Sequence, residues 1–218
     1  MPLHSPRARA ARIWSSLDSM PSALSPCAAA ITAGGQSRRF GQDKALYRVG
    51  GVPLLYRVAA SLDAFAPRML IAPAGKYRLP GWQTVPDLRP GEGPLAGLET
   101  ALNALDRTDP AGRWLAFAAV DLPHLTPGFW TMLTLRAGTG MQAVTGLDAT
   151  GRTQPLAALY HSSALAQVSA LLNGGERRMA ALLERLAVVQ VPWQQISSSH
   201  PEVYLNLNTI PEQPSGVD

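Results

Sequence analysis

The sequence contains a single cysteine, Cys27, in 218 residues, and few charged residues. One cysteine excludes an internal disulfide framework and a cysteine-rich zinc site, and it fits a reducing compartment, so we expect a cytoplasmic protein. Charged residues make up 16% and apolar residues 46% of the chain, which excludes a disordered protein. The longest apolar run, 114–120, is far shorter than the roughly 18 residues of a membrane-spanning helix, so no membrane partner is expected.

The net charge of +4 is a modest basic excess. Three arginines (Arg7, Arg9 and Arg12) minus Asp18 place +2 of it in residues 1–27, and the remaining +2 is spread along the chain. Because the sequence has no dense Lys/Arg block interleaved with aromatic residues, we expect no nucleic-acid partner. A small basic excess suits a protein that handles polyphosphates.

Residues 1–25 are rich in Ala, Arg, Ser and Pro and show no sustained apolar periodicity. We interpret them as a disordered or extended leader, which precedes a single domain at 26–218. Within that domain, strand-like and helix-like patterns alternate. The patterns predict strands at 28–32, 68–72, 84–86, 113–120, 142–145, 154–160, 188–192 and 203–206. They predict helices at 52–62, 94–105, 127–136, 163–172 and 178–186, and a helical turn from Pro211 onward.

This alternation predicts a three-layer α/β/α, Rossmann-like domain around a mostly parallel sheet. In such folds, ligands bind outside the carboxyl ends of the strands. The residues that follow each predicted strand are therefore the candidates for a functional site.

A glycine-rich, basic stretch follows the first predicted strand and reads Gly-Gly-x-Ser-Arg-Arg-x-Gly-x-Asp-Lys over 34–44. Gly34 and Gly35 allow the backbone to pass close to a ligand and to present its N–H groups. Arg39 and Lys44 bring cations to the same loop, and a compact lysine charge suits phosphate oxygens. The string is neither a P-loop nor a GxGxxG fingerprint, yet its composition predicts a polyphosphate site.

Carboxylates follow two further strands. Asp87 precedes Gly-Pro-Leu-Ala-Gly at 93–97, which opens a helix, and Gly97 would allow close approach to its first turn. A carboxylate there can accept hydrogen bonds from the guanine edge or from ribose hydroxyls. Asp121 ends the most apolar strand, where it is well placed to hold Mg²⁺; Asp43 and Asp87 are weaker candidates for a second ligand.

Together these motifs resemble those of the nucleotidyltransferases that build molybdenum cofactor dinucleotides. The sequence Thr-Ala-Gly-Gly at 32–35 is most similar to the guanylyltransferase branch, known as MobA, which has Leu-Ala-Gly-Gly. The resemblance covers residues 28–212 and implies a nucleotidyltransferase fold with a mostly parallel, mixed sheet. It also implies an enzyme that transfers GMP from GTP to the phosphate of molybdopterin and releases pyrophosphate.

The resemblance implies a role for each motif. The loop residues Thr32, Ala33, Gly34 and Gly35, together with Lys44, would hold the GTP phosphates.

Asp87 and Gly97 would contact the guanine nucleotide, and Asp121 would be the magnesium ligand. Toward the C-terminus, Gly-Glu-Arg-Arg at 175–178 and Asn-Leu-Asn at 206–208 also match the family. There Arg178, Asn206 and Asn208 would bind the acceptor.

Two features depart from the family. Relatives carry an asparagine after the strand at 68–72 that helps to bind the guanine nucleotide, whereas this chain has Ala72 and Pro73. The extension before the glycine loop is also longer than is usual in the family.

Two alternatives stay open at this stage. One is a CTP-dependent cytidylyltransferase for the same cofactor, or another nucleotidyltransferase. The other is a non-catalytic adaptor that passes cofactor to a molybdoenzyme, although an adaptor would be expected to have lost Lys44 or Asp121. Molybdoenzymes or other proteins of cofactor biosynthesis are the expected protein partners.

Overall fold

The computed structural model describes residues 27–33, 43–106 and 113–206. The predicted leader at 1–25 and the helical turn after Pro211 lie outside these residues, so the domain boundaries stay a prediction. In the described part, the strands are β1 (Cys27–Thr32), β2 (Arg48–Val49), β3 (Val52–Pro53), β4 (Arg68–Ile71), β5 (Gln83–Val85), β6 (Trp114–Ala119), β7 (Ala143–Leu147), β8 (Thr153–His161) and β9 (Val188–Val191). The α-helices there are α1 (Leu54–Ser61), α2 (Pro94–Asp106), α3 (Pro127–Thr134), α4 (Leu165–Asn173), α5 (Met179–Leu183) and α6 (Trp193–Ser197).

Seven of these strands form one sheet in the order β5-β4-β1-β6-β8-β7-β9. Neighbouring pairs are parallel except those made by β8, which runs antiparallel to both β6 and β7. The predicted mostly parallel, mixed sheet is therefore confirmed. After β1 the chain adds β4 and β5 on one side, and it later returns to add β6 on the other, so the strand order switches direction between β1 and β6. Open α/β sheets bind their ligands at such a point.

Apolar residues cover both faces of the sheet, as the three-layer prediction requires. In β1, Ala29 and Ile31 pack into one core with helices α1 and α3. Ala28 and Ala30 point to the opposite face and pack into a second core with helices α2, α4 and α5. This alternation follows from the pleat of a strand, and the small side chains of β1 allow both helical layers to approach closely.

The structure differs from the predicted elements at three places. The helix predicted at 52–62 begins only at Leu54, because β3 pairs with β2 in a hairpin whose turn has Gly50 and Gly51 at positive φ. The helix predicted at 178–186 is shorter and spans Met179–Leu183. The prediction of a strand at 203–206 is wrong, since these residues form a turn. The preceding helix α6 was not predicted.

The turn at 201–206 is held by packing rather than by the sheet. Val203 is 1% exposed, and the ring of Tyr204 packs against Phe129 and Trp193. An apolar segment that is buried against side chains has the same composition as a strand, which explains the error. The turn also brings the Tyr204 side chain against α3 and β7.

We expect Gly146→Ala to destabilise the protein by about 1–3 kcal/mol, the usual cost of overpacking a core. Gly146 lies in β7, and a Cβ there would overlap the Tyr204 hydroxyl and contact Ile196 Cδ1. Urea unfolding would measure the change. Gly138→Ala is the matched control, because a Cβ at that glycine meets no atom within 4 Å. Equal stability of the two variants would contradict the packing described for the turn.

Candidate active site

The carboxyl ends of β1 and β6 lie side by side at the switch point of the sheet. Thr32 pairs with Ala119 in the β1–β6 register, and the Val120 amide donates to the Thr32 carbonyl at 3.3 Å. On the other side of β1, the Ala33 amide donates to the Ile71 carbonyl at 3.1 Å. The backbone therefore fixes Ala33, which begins the glycine-rich loop, beside the residue that precedes Asp121.

Two residues that the sequence assigned to the same chemistry meet at this point. The Lys44 ammonium lies 3.2 Å from Asp121 Oδ2, although 77 positions separate the residues in sequence. Their side chains are 14% and 26% exposed, respectively, so the pair is shielded but reachable from solvent. A shielded charge pair interacts more strongly than one in water, and it presents both a cation and a carboxylate to a ligand.

A single turn of 3₁₀ helix, Lys44–Leu46, places the lysine. Asp43 caps this turn by accepting a hydrogen bond from the Ala45 amide at 3.1 Å. The same carboxylate lies 2.9 Å from the Tyr77 hydroxyl and forms an ion pair of 2.9 Å with Lys76. Burial raises the pKa of Asp43, but the hydrogen bonds from Lys76, Tyr77 and the Ala45 amide outweigh it and hold the pKa below its usual value.

The glycine-rich loop is only partly within the described residues. Thr32 and Ala33 are described, whereas Gly34, Gly35 and Arg39 fall in 34–42 and lie outside. The structure therefore places the two residues that flank this segment, Ala33 and Asp43, and the lysine that follows it.

Gly97 permits close packing between the first turn of α2 and the end of β1. A Cβ at Gly97 would lie 3.0 Å from Thr32 Oγ1 and 3.4 Å from Thr32 Cβ. The sequence predicted that this glycine admits another backbone or a base; in the structure, the close neighbour is the Thr32 side chain. Helix α2 thus begins directly beside the carboxyl end of β1.

Asp87 follows β5 and is held against α2. Its Oδ1 accepts hydrogen bonds from the Arg89 amide at 3.0 Å and from the Thr100 hydroxyl at 3.1 Å. The Leu88 amide in turn donates to Thr100 Oγ1 at 2.9 Å. Within the described residues, the hydrogen bonds to this carboxylate all reach Oδ1, which leaves Oδ2 available to a ligand.

A buried ion pair beside Asp87 was not predicted. Glu99 is 4% exposed and binds Arg89 through two contacts of 2.7 and 3.0 Å. Ser169 donates to Glu99 at 2.8 Å, and Arg89 also reaches the Asn173 side chain at 2.7 Å. These contacts join the Asp87 loop and α2 to α4. In the sequence, Glu99 is a lone carboxylate on an otherwise apolar helix face, and this pattern could have indicated that Glu99 has a buried partner.

Of the three predicted acceptor residues, Arg178 and Asn206 lie within the described residues. Arg178 is 71% exposed and forms an ion pair of 2.6 Å with Glu176 in its own loop. The Arg178 guanidinium and two backbone amides lower the pKa of Glu176 to about 2. Asn206 ends the described C-terminal turn, and Asn208 lies outside the described residues.

Two side-chain contacts join the C-terminal turn to the segment that follows Asp121. His124 lies 3.4 Å from Glu202, and Thr126 Oγ1 lies 3.1 Å from His200 Nδ1. They bring the turn that leads to Asn206 beside the Asp121 segment.

The metal-ligating potential of the site rests on Asp121. Among the residues that the structure describes, no group of three or more His, Cys, Asp or Glu side chains could hold a metal ion. Mg²⁺ requires only one or two carboxylates, because waters and substrate phosphates complete its six ligands. The hard oxygen ligands of Asp121 therefore fit Mg²⁺ that arrives with a nucleotide.

None of the helices described is long and apolar enough to cross a membrane.

Comparison with known proteins agrees with this geometry. The model of the MobA-like NTP transferase domain matches residues 29–191, which contain most of β1 and all of β6. The chain belongs to the MobA-like NTP transferase family. It is therefore a nucleotidyltransferase, and the resemblance inferred from the glycine loop is confirmed.

Individual relatives of the family cover most of the chain. A probable molybdenum cofactor guanylyltransferase of Deinococcus radiodurans is 54% identical over 154 residues, which is 71% of this chain and 77% of that protein. A protein of the same description from Opitutus terrae is 35% identical and covers 84% of this chain and 95% of its own length. The crystal structure of molybdopterin-guanine dinucleotide biosynthesis protein A from Archaeoglobus fulgidus superposes with a TM-score of 0.68 at 25% identity, over 84% of this chain and 92% of that one.

Proposed function

We propose that this MobA-like transferase moves GMP from GTP to the terminal phosphate of molybdopterin, with release of pyrophosphate and formation of molybdopterin guanine dinucleotide. The observation that carries this proposal is the Lys44–Asp121 pair at the switch point, in a family whose curated relatives are described as molybdenum cofactor guanylyltransferases.

The triphosphate would lie along the glycine loop. The backbone at Thr32 and Ala33 is fixed by its neighbours in β4 and β6, so it presents a rigid edge from which the loop departs. The amides of Gly34 and Gly35, the Arg39 guanidinium and the Lys44 ammonium would then contact phosphate oxygens. Together these groups would offset the negative charge of the nucleotide.

The guanine nucleotide would extend from this loop toward Asp87 and the start of α2. Asp87 Oδ2 would accept a hydrogen bond from the base edge or from a ribose hydroxyl, since Oδ1 is held by Arg89 and Thr100. Gly97 would contribute by bringing the first turn of α2 close to the end of β1.

Asp121 is the residue that would hold Mg²⁺ on the triphosphate. When bound, Mg²⁺ would neutralise phosphate charge and lower the barrier to displacement of pyrophosphate. The Lys44 ammonium donates to Asp121 Oδ2 in this structure. It would turn toward the phosphates as the nucleotide binds.

The chemistry requires positioning more than proton transfer. The attacking phosphate is already anionic at neutral pH, so no general base is needed. Lys44 and the loop amides would align the α-phosphorus for in-line attack and stabilise the charge that develops on the departing pyrophosphate.

The acceptor would bind on the C-terminal side of the site. Asn206 and Asn208 would contact the pterin. The contacts from His124 and Thr126 bring the described turn that ends at Asn206 beside the Asp121 segment. Arg178 would bind the acceptor phosphate. To do so, its guanidinium must either leave Glu176 or contact Glu176 and the phosphate together. Molybdoenzymes or other cofactor-biosynthesis proteins would receive the product.

A cytoplasmic reaction fits Cys27, a buried free thiol whose pKa burial raises to about 12.

One observation argues against guanine and keeps CTP as a second candidate substrate. Ala72, which stands where relatives carry the asparagine, is 1% exposed and offers no polar side chain to a base. The adaptor alternative is not supported, because Lys44 and Asp121 are both present and paired.

Titration calorimetry with GTP, CTP and ATP, each with Mg²⁺, would distinguish these candidates. We expect GTP to bind at least tenfold more tightly than CTP or ATP, because guanine presents N–H donors to Asp87 Oδ2 at the edge where cytosine and adenine present a ring-nitrogen acceptor. Preference for CTP would assign the protein to the cytidylyltransferase branch. Equal affinities would contradict a role for Asp87 in base selection.

A further inference from the structure

Tyr77 reaches both residues that flank the glycine loop. It lies in the segment between β4 and β5, and its hydroxyl is 2.9 Å from each carboxylate oxygen of Asp43. The same hydroxyl is 3.3 Å from the carbonyl oxygen of Ala33. Ala33 immediately precedes residues 34–42 and Asp43 immediately follows them. One side chain from another part of the chain therefore contacts both ends of the loop.

The surroundings of Tyr77 keep its hydroxyl a hydrogen-bond donor. The residue is 8% exposed and belongs to the core that contains Ala33. Burial raises the pKa of the Tyr77 hydroxyl, with a further contribution from the nearby Asp43 carboxylate, although Lys76 acts in the opposite direction. A phenol has one proton to donate, and a charged acceptor forms the stronger hydrogen bond, so Asp43 is its main partner.

Asp43 passes this constraint to the lysine. Its carboxylate accepts from the Ala45 amide and so fixes the turn that carries Lys44. The ion pair with Lys76 adds a second contact from the β4–β5 segment. Lys44 in turn contacts Asp121 at the end of β6. A chain of contacts thus runs from Tyr77 through Asp43 and Lys44 to Asp121.

We propose that Tyr77 is a positioning residue that, through its contacts with Asp43 and Ala33, sets Lys44 where it can meet the phosphates of a nucleoside triphosphate. The hydroxyl of Tyr77 contacts Asp43 and Ala33, so Tyr77 acts through the two loop ends. The inference rests on the proposed function, because the loop is assigned to the phosphates of GTP.

The chain offers a matched control in Tyr56. Its hydroxyl donates to the Arg78 carbonyl at 2.7 Å, which lies in the same β4–β5 segment, but it contacts neither end of the glycine loop. Tyr56→Phe and Tyr77→Phe therefore each remove one hydroxyl from contacts with this segment. A general loosening of the segment would follow from either variant, whereas a loss of loop positioning would follow from Tyr77→Phe alone.

The test compares the affinities of each variant for GTP and for guanosine, measured by titration and competition calorimetry. We expect Tyr77→Phe to weaken GTP binding about tenfold, the lower end of the loss seen when a residue that orients a ligand-binding group is removed. Guanosine has no phosphate, so its affinity should change less than twofold. Tyr56→Phe should change neither affinity by more than twofold.

Two results would overturn the inference. One is an unchanged GTP affinity in Tyr77→Phe, and the other is a parallel loss for GTP and guanosine, which a purely structural role would produce. If the wild-type chain itself fails to bind GTP, the proposed function fails first, and this outcome is distinct from wild-type binding that Tyr77→Phe leaves intact.

A second variant keeps the test decisive if Tyr77→Phe does not fold. Asp43→Asn retains the shape of the side chain but removes its charge, and we expect the same selective loss of GTP affinity. The double variant should bind GTP no more weakly than the weaker single variant, because both act through one contact. Independent, additive losses would contradict positioning through Asp43.

Discussion

Asp121→Asn is expected to lower the rate of GMP transfer by about a hundred- to a thousandfold, the usual loss when one electrostatic stabiliser of a transition state is removed. The amide keeps the size of the side chain but not its charge. It would hold Mg²⁺ weakly, and it would no longer pair with Lys44 at 3.2 Å. Steady-state pyrophosphate release at saturating GTP and Mg²⁺ would measure the loss.

The fold should survive this substitution. Asp121 is 26% exposed, and its ion pair lies at the rim of the sheet rather than in either core. Asp63→Asn is the matched control, because Asp63 also forms a 3.0 Å ion pair, with Arg68, yet lies 69% exposed after α1. It should leave turnover unchanged. Normal turnover in Asp121→Asn would contradict the assignment of this residue to the metal.

Lys44→Ala is expected to lower kcat/KM for GTP by about a hundredfold. The lysine contributes a compact charge at the end of the phosphate loop, and its partial burial makes that charge more effective than it would be in water. Its loss should raise KM for GTP as well as lower kcat, because in the proposed role the ammonium would contact the phosphates both before and during displacement. Initial rates over a range of GTP concentrations would separate the two effects.

Arg48→Ala is the control for Lys44→Ala. It removes a positive charge four positions away, on the β2–β3 hairpin, where Arg48 donates only to the Gly51 carbonyl among the hydrogen bonds given by the described residues. We expect less than a threefold change in kcat/KM. A loss as large as that of Lys44→Ala would indicate a general electrostatic effect and not a specific contact.

The sequence predicted the centre of the site because its signals are local. The apolar run that ends at Asp121 and the glycine string that ends at Lys44 each indicate a strand followed by a ligand-binding loop. Parallel strands bring their carboxyl ends to one edge, so both residues were expected near that edge, whereas their pairing depends on β1 and β6 being neighbours in the sheet. The structure places them 3.2 Å apart.

The supporting contacts could not be predicted in the same way. Tyr77 is a single tyrosine in a segment without regular structure, and its partners Ala33 and Asp43 lie 44 and 34 positions away. Glu99 is recognisable in sequence as a carboxylate on an apolar helix, but its pairing with Arg89 depends on how the loop after β5 folds back onto α2. Such contacts arise from tertiary packing, which no periodicity encodes.

The C-terminal turn shows a related limit: the sequence predicts that a segment is buried but not which elements bury it. The pattern around Val203 has the composition of a strand, yet the residue lies in a turn and is buried in the core that also contains Phe129 and Ile196. Burial alone does not identify the partner that supplies it. The predicted contacts of Asn206 with the acceptor therefore depend on the position of a turn and stay a prediction.

The most direct measurement is pyrophosphate release by the purified wild-type chain when molybdopterin is added to GTP and Mg²⁺, with CTP and ATP assayed in parallel. We expect release from GTP that requires molybdopterin and is at least tenfold faster than release from CTP or ATP, together with a guanine dinucleotide product detectable by mass spectrometry. Faster turnover of CTP, or no turnover of any nucleotide with molybdopterin present, would contradict the guanylyltransferase function.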